Sequence, residues 1–307
     1  MAELVLYYDD VSVQARIVRI VLAEKCLSFR PVLLDVRRSE DLSPWFVRLN
    51  PEGNLPVLVH GKTVVRDGQE ILKYLDETFP NSAQLFPDDS TPYIKKRCDY
   101  FRSLHGKFDA GLVYYGVSMY PDDVGCTLED VEGTRKECQS LRKILREDRP
   151  KKCQELSESH LDLKDIYLKI KEEGADKAKT PDVEDLKRLL VLFDDVMTKV
   201  ESELDRNEAQ GEAGKATWLC GERYTIADVL WTALLAQLEE SGLADRYWAN
   251  GKRPHVSAYY DRVRSRASYS QAVSGPPKTD ANENMVLWYW LSAFAVTIVA
   301  IFVVLVY

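Results

Sequence analysis

Ser12 is the first residue placed to do chemistry. It separates a short apolar run, Leu4 to Tyr8, from a stretch of helical periodicity. A hydroxyl at a helix N-terminus can donate to a thiolate, and the helix dipole adds to that stabilisation. The commonest use of such a serine is simpler: it caps the helix. Both readings stand at this point. Asp67-Gly68 opens a later helix, where a carboxylate can cap free amides. Between them runs Asn50-Pro51-Glu52-Gly53-Asn54-Leu55-Pro56-Val57-Leu58-Val59. Pro56 cannot donate a ladder hydrogen bond, so it belongs at a strand start or edge. Next to a glycine-containing turn it is also a candidate for a cis peptide. Other chemistry is sparse. His60, His105, His160 and His255 are far apart and share no ligand spacing with the cysteines, which argues against a zinc site. Cys26, Cys98, Cys126, Cys138, Cys153 and Cys220 are scattered without a CxxC and read as free thiols.

These residues need elements to hold them. Leu4 to Tyr8 has strand character, and from Ser12 the residues Val13, Ile17, Ile20 and Val21 share one helical face. Phe29 to Asp35 reads as a second strand, followed by a one-turn helix around Trp45. Pro56 opens a third strand, and Lys62 to Arg66 makes a fourth across the His60-Gly61 turn. Gln69 to Phe79 is a helix with Ile71, Leu72 and Leu75 facing inward. The predicted order over residues 1–80 is β-α-β-α-β-β-α.

That order, with the turn Asn50 to Leu58, resembles the thioredoxin-like N-terminal domain of glutathione transferases. The resemblance implies a cis Pro56, with the backbone of Leu55 bonding the glutathione peptide. In serine-type members a serine after the first strand activates the glutathione thiol, and Ser12 with Arg16 and Arg19 matches that spacing. The family usually opens its third helix with an acidic residue and a serine that hold the γ-glutamyl end. Here the pair is Asp67-Gly68, so the hydroxyl is missing. Losing one contact to a charged group costs about 1.5–3 kcal/mol. Asp67 therefore reads either as a ligand to the γ-glutamyl ammonium or as a helix cap alone. Tyr7 and Tyr8 stand where some members use a tyrosine, and read as packing residues.

Residues 81–92 are rich in Asn, Asp, Ser and Pro and form a linker. Residues 93–270 are patterned as an all-helical domain, with long helices predicted over Tyr93 to Tyr115 and Leu128 to Leu145. Residues 146–179 are dense in Lys, Glu and Asp, with a thin apolar stripe at Leu156, Leu163, Ile166 and Ile170. They read as an exposed helical insertion with paired charges, or as an arm that meets a protein partner. From Thr180-Pro181 a strong helix keeps Val183, Leu186, Leu190, Phe193, Met197, Val200 and Leu204 in helical register. Thr225 and Asp228 form a capping box that resembles the structural signature of the transferase C-terminal domain; Asp228 is then structural. Arg262, Arg264 and Arg266 read as solvated residues or as contacts to anionic lipid.

Residues 271–284 form a tether, and residues 285–307 read MVLWYWLSAFAVTIVAIFVVLVY, without charge, proline or glycine. A helix of that length spans about 34 Å, against a bilayer core of about 30 Å. Trp288, Tyr289 and Trp290 cluster where an aromatic belt would sit. The expectation is one transmembrane helix acting as a tail anchor, with the head facing the cytosol. The net charge of −8 argues against a nucleic-acid partner.

The insertion and the tail together resemble one branch of the transferase fold, the ganglioside-induced differentiation-associated protein 1 family. The stretches that carry this are Leu4 to Tyr7 with Val18-Arg19, Ala23 to Lys25, Pro44 to Phe46 and Arg48 to Asn50. Trp218 to Glu222, Asn250 to Pro254 and Tyr259-Tyr260 continue it. The resemblance implies a place on the mitochondrial outer membrane and promotion of fission, by binding a ligand or partner. It also implies a homodimer. The relatives carry basic residues after the span and this sequence does not, which leaves the endoplasmic reticulum as an alternative. The other reading is a membrane-bound transferase using glutathione as substrate.

Overall fold

Leu4, Leu6 and Tyr8 alternate with Tyr7 along the first strand, and that period of two decides which helices cover which side of the sheet. The computed structural model describes residues 2–10, 12–126, 131–177, 182–210 and 217–273. Strands β1 (Leu4–Tyr8), β2 (Phe29–Leu33), β3 (Val57–His60) and β4 (Thr63–Val65) form one sheet in the order β2-β1-β3-β4. β1 runs parallel to β2 with Leu6 opposite Pro31, and antiparallel to β3 with Leu6 opposite Leu58. Leu4, Leu6, Tyr8 and Leu58 pack against α1 (Val13–Glu24) and α3 (Gly68–Thr78). Tyr7, Val57 and Val64 pack on the opposite face against Phe46 of α2 (Pro44–Leu49). The thioredoxin-like arrangement is as the sequence predicts. β2 stops short of Asp35 because that carboxylate turns the chain, accepting from the Arg37 amide at 2.9 Å.

The linker is stitched down rather than loose. Leu85 is buried, and its carbonyl accepts from the Ile226 amide at 2.9 Å. The buried Lys25 Nζ donates to Asp76, Ser82 Oγ and the Ala83 carbonyl, so its charge is fully partnered. The helix predicted over Tyr93 to Tyr115 is two helices, α4 (Pro92–His105) and α5 (Ala110–Met119). Gly106 follows the last turn of the first, and Asp109 starts the second by accepting from the Leu112 amide at 2.9 Å, so a stop and a start signal divide the segment. The short α6 (Pro121–Val124) follows, then α7 (Val131–Lys143), whose last turn widens over Ile144–Asp148 into α8 (Arg149–Ser159). Then come α9 (Lys164–Lys177), α10 (Val183–Gln210), α11 (Ile226–Glu240), α12 (Ala244–Tyr247), α13 (Pro254–Arg264) and α14 (Ala267–Ala272).

α11 is the axis of the helical domain, buried from Ile226 to Leu238. Trp231 donates its indole N–H to the Phe101 carbonyl at 3.1 Å. Phe193 of α10 packs against Phe108 and Tyr247, with centroids at 4.1 and 4.9 Å. Asp228 accepts from the Leu219 amide (3.0 Å), the Thr225 amide (2.8 Å), Thr225 Oγ1 (3.1 Å) and Tyr259 OH (3.1 Å). Every oxygen of this wholly buried carboxylate is used inside the protein, as a structural role requires.

The charged insertion is not a free arm. α8 and α9 fold into a hairpin whose apolar stripe meets the thioredoxin-like domain of the same chain. Cys153, Leu163, Tyr167 and Ile170 are buried with Leu42 and Val47, and Leu156 and Ile166 pack at the margin. Tyr167 OH donates to the Leu42 carbonyl at 2.9 Å, and Arg48 pairs with Asp162 at 2.7 Å. Tyr167→Phe should cost about 1–2 kcal/mol in denaturant unfolding, because it strands a buried carbonyl without changing the ring. Arg262, Arg264 and Arg266 are each paired within the head, to Glu208, Glu239 and Glu24 at 3.2, 3.2 and 2.6 Å. Their charges are therefore already engaged without lipid. The predicted tether beyond Val273 and the anchor at 285–307 lie outside the described residues. Among the described residues no helix is long and apolar enough to cross a membrane.

Candidate functional site

The end of β1 positions Ser12. Asp9 Oδ1 accepts from the Ser12 amide at 2.7 Å, and Ser12 Oγ accepts from the Ala15 amide at 3.2 Å. Ser12 is thus the N-cap of α1. Capping uses the oxygen as an acceptor and leaves its O–H able to donate, so the two sequence readings are compatible in one side chain.

The turn after α2 is built by Asn50, which is fully buried. Its Nδ2 donates to the Asn54 carbonyl at 2.6 Å, and its own carbonyl accepts from the Gly53 amide at 3.1 Å. Gly53 takes φ +64°, and a Cβ there would sit 3.0 Å from Ile170 Cδ1 of α9. Glycine suits both the left-handed backbone and the close approach of α9. The Leu55–Pro56 peptide is cis.

Ser12 and Leu55 line one cleft of about 790 Å³. It lies between the turn, the start of α1, the α4–α5 break and the hairpin, with Phe108, Leu141, Leu145 and Ile170 as apolar wall. Asp67 and Gly68 do not line it. Asp67 Oδ1 accepts from the Gln69 and Glu70 amides at 2.8 and 3.1 Å as the cap of α3. A Cβ on Gly68 would lie 3.0 Å from Gln14 Oε1, so Gln14 covers the spot next to the absent hydroxyl. Tyr7 packs on Trp45 and Phe46 with centroids 5.8 and 5.7 Å away, and Tyr8 is buried under the Arg19 guanidinium at 5.2 Å.

Three residues that the sequence reading did not single out for the site also line the cleft. Asp41, which is 2 % exposed, pairs through Oδ2 with Arg149 NH1 at 2.6 Å. Burial pushes its carboxyl up, and Arg149 pulls it back only in part. Arg149 is the first residue of α8, so this ion pair ties the hairpin to the cleft. Burial also pushes His105 down to about 4, leaving it uncharged at neutral pH. Unfolded, this histidine takes its proton near 6.5, so folding loses stability as pH falls from there towards about 4. In His105→Gln the acid-side decline of the unfolding free energy should be shallower. No spacing signal links Asp41 to Arg149. The capping box was legible because its members are three residues apart in sequence. Among the described residues no cluster of His, Cys, Asp or Glu could hold a metal ion.

Comparison with known proteins agrees with this geometry. The glutathione S-transferase N-terminal domain family matches residues 6–83, and the glutathione S-transferase C-terminal domain family matches residues 179–267. The chain is 30% identical over 284 residues to ganglioside-induced differentiation-associated protein 1-like 1 of Mus musculus, covering 88% of this chain and 74% of the mouse protein. The human protein of that name is 29% identical over 281 residues, covering 88% and 73%. Among solved structures, the beta-etherase LigF from Sphingobium sp. strain SYK-6 superposes with a TM-score of 0.62 at 20% identity, covering 88% of this chain and 98% of that one. The last likeness speaks to fold alone.

Proposed function

This chain belongs to the ganglioside-induced differentiation-associated protein 1 family, on the glutathione transferase fold, and from that premise we propose that it is a ligand-binding regulator of mitochondrial network shape. In this reading it promotes fission from the mitochondrial outer membrane, held by residues 285–307, with its head in the cytosol. The observation that carries the ligand-binding part is the docked hairpin. α8 and α9 wall a cleft that Ser12 and Leu55 also line, while the position after Asp67 is a glycine and carries no hydroxyl. Such a cleft suits a ligand other than one gripped by the usual acidic-serine pair. The test is imaging of cells expressing the full-length protein, beside alkaline carbonate extraction of their membranes. Fragmented mitochondria and a carbonate-resistant protein are expected. An unchanged network with the protein in the carbonate wash overturns the reading.

A second reading, a membrane-bound glutathione transferase, is favoured by one observation: the Ser12 hydroxyl lines the cleft while its oxygen caps α1. It requires conjugation of glutathione to a chloronitrobenzene by the wild-type protein and loss of turnover in Ser12→Ala. That variant should lose about 1 kcal/mol of stability as a broken cap in either reading, so turnover and not folding separates them. Homodimerisation belongs to both readings, and sedimentation of the full chain should return twice the monomer mass.

A further inference from the structure

We propose that the cleft binds an aliphatic amine, with the second carboxylate oxygen of Asp41 as the anchor for its ammonium group. This deepens the ligand-binding reading above and rests on it. Asp41 lines the cleft, is 2 % exposed and spends Oδ2 on Arg149. Its Oδ1 has no hydrogen-bond partner among the described residues. A buried carboxylate oxygen without a donor is rare in folded proteins, and a ligand N–H would complete it.

The charge around it points the same way. Five carboxylates line the cleft, those of Asp9, Asp41, Glu52, Asp109 and Glu173, against two cations, Lys107 and Arg149. His105 is uncharged there at neutral pH. One cation is already engaged by Asp41 itself. A concave surface with this excess of one sign concentrates ligands of the opposite sign and repels an anion such as glutathione. The carboxylates come from five different segments: the β1–α1 loop, the turn before α2, the turn after it, the cap of α5, and α9. They converge only in the folded chain. Phe108, Leu141, Leu145 and Ile170 give the remaining wall an apolar character that fits methylene groups. The ligand class is therefore a primary ammonium on an alkyl chain, not a compact metal cation.

Isothermal titration calorimetry of the full-length protein with octamethylenediamine tests this. Suberate, with the same chain length and opposite charge, and glutathione are the controls. One-site heat with the diamine and none with either anion is expected. Asp41→Asn should weaken diamine binding about tenfold or more. Because that variant leaves Arg149 unpaired, the double variant Glu52→Gln/Glu173→Gln gives an independent check on two exposed carboxylates. It should weaken binding several-fold and flatten the salt dependence. Preference for suberate, absence of diamine heat, or diamine binding unchanged in the variants overturns the proposal. The imaging assay above reads the mitochondrial role separately, so either conclusion can fall without the other.

Discussion

Asp228→Ala should lose about 3–5 kcal/mol of unfolding free energy, the largest single loss expected in the helical domain. The change removes the acceptor for two backbone amides, Leu219 and Thr225, and for Tyr259 OH. All three donors are buried, and each stranded donor costs about 1–3 kcal/mol. The losses fall on one network and will not simply add. For a protein of this size, thermal unfolding should drop by roughly 10 °C. The protonation behaviour gives a second readout. Burial lifts the folded carboxyl to about 6, from the usual 3.8, despite four hydrogen bonds. Folding therefore takes up a proton between those values. The stability contributed by that proton is greatest below about 4 and is lost as pH rises through about 6. Asp228→Asn should lose this slope. His105 contributes a slope of opposite sign over an overlapping range, so only the single variants expose either one.

Arg149→Ala is the second large effect. It leaves Asp41 buried and charged without a counter-ion, a change that costs about 3–5 kcal/mol when the environment cannot relax. The expected relaxation of this variant is that Asp41 takes a proton and the α8–α9 hairpin lifts from Leu42 and Val47. The loss should therefore appear first as proteolysis within α8 and α9, with the sheet still folded. Denaturant titration should show an early transition absent from the wild type. Replacing both partners, Asp41→Asn with Arg149→Met, should recover much of the loss, because the uncompensated charge is then gone. A double variant no better than Arg149→Ala would show that the ion pair is not what holds the hairpin.

The parts of the head that were legible in the sequence are those written locally. β1 and α1 announce themselves by a change of period at Ser12. The turn from Asn50 to Pro56 carries its own signature. Thr225 and Asp228 sit one helical turn apart, so their cap could be read without knowing the fold. The helix break between α4 and α5 is also written locally, in Gly106 after the last turn of α4 and Asp109 as the cap of α5, so a single helix over Tyr93 to Tyr115 overrides signals the sequence carries. The insertion was legible as a charged helical segment with a stripe at Leu163 and Ile170, but not in where the stripe goes. Its partners, Leu42 and Val47, lie in the first domain, and a stripe does not say which surface covers it. The site divides the same way. Ser12 and Leu55 could be placed from motif and spacing. Asp41 lies in an unremarkable polar stretch, and its partner Arg149 comes from α8, far away in the sequence. Asp67 and Gly68 were legible as a helix start. That Gln14, a residue of the cleft lining, stands beside Gly68 depends on packing that no local pattern encodes.

The docked hairpin as a permanent wall of the cleft is best tested by hydrogen exchange on the full-length protein and on Arg149→Ala. In the wild type, amides of α8 and α9 should be protected to the same order as those of β1, and the Asn50 to Leu55 turn should be protected with them. In Arg149→Ala both segments should lose protection together while β1 keeps its own. Exchange of α8 and α9 at the rate of an unfolded chain in the wild type would contradict a docked hairpin, and with it the cleft that the hairpin walls.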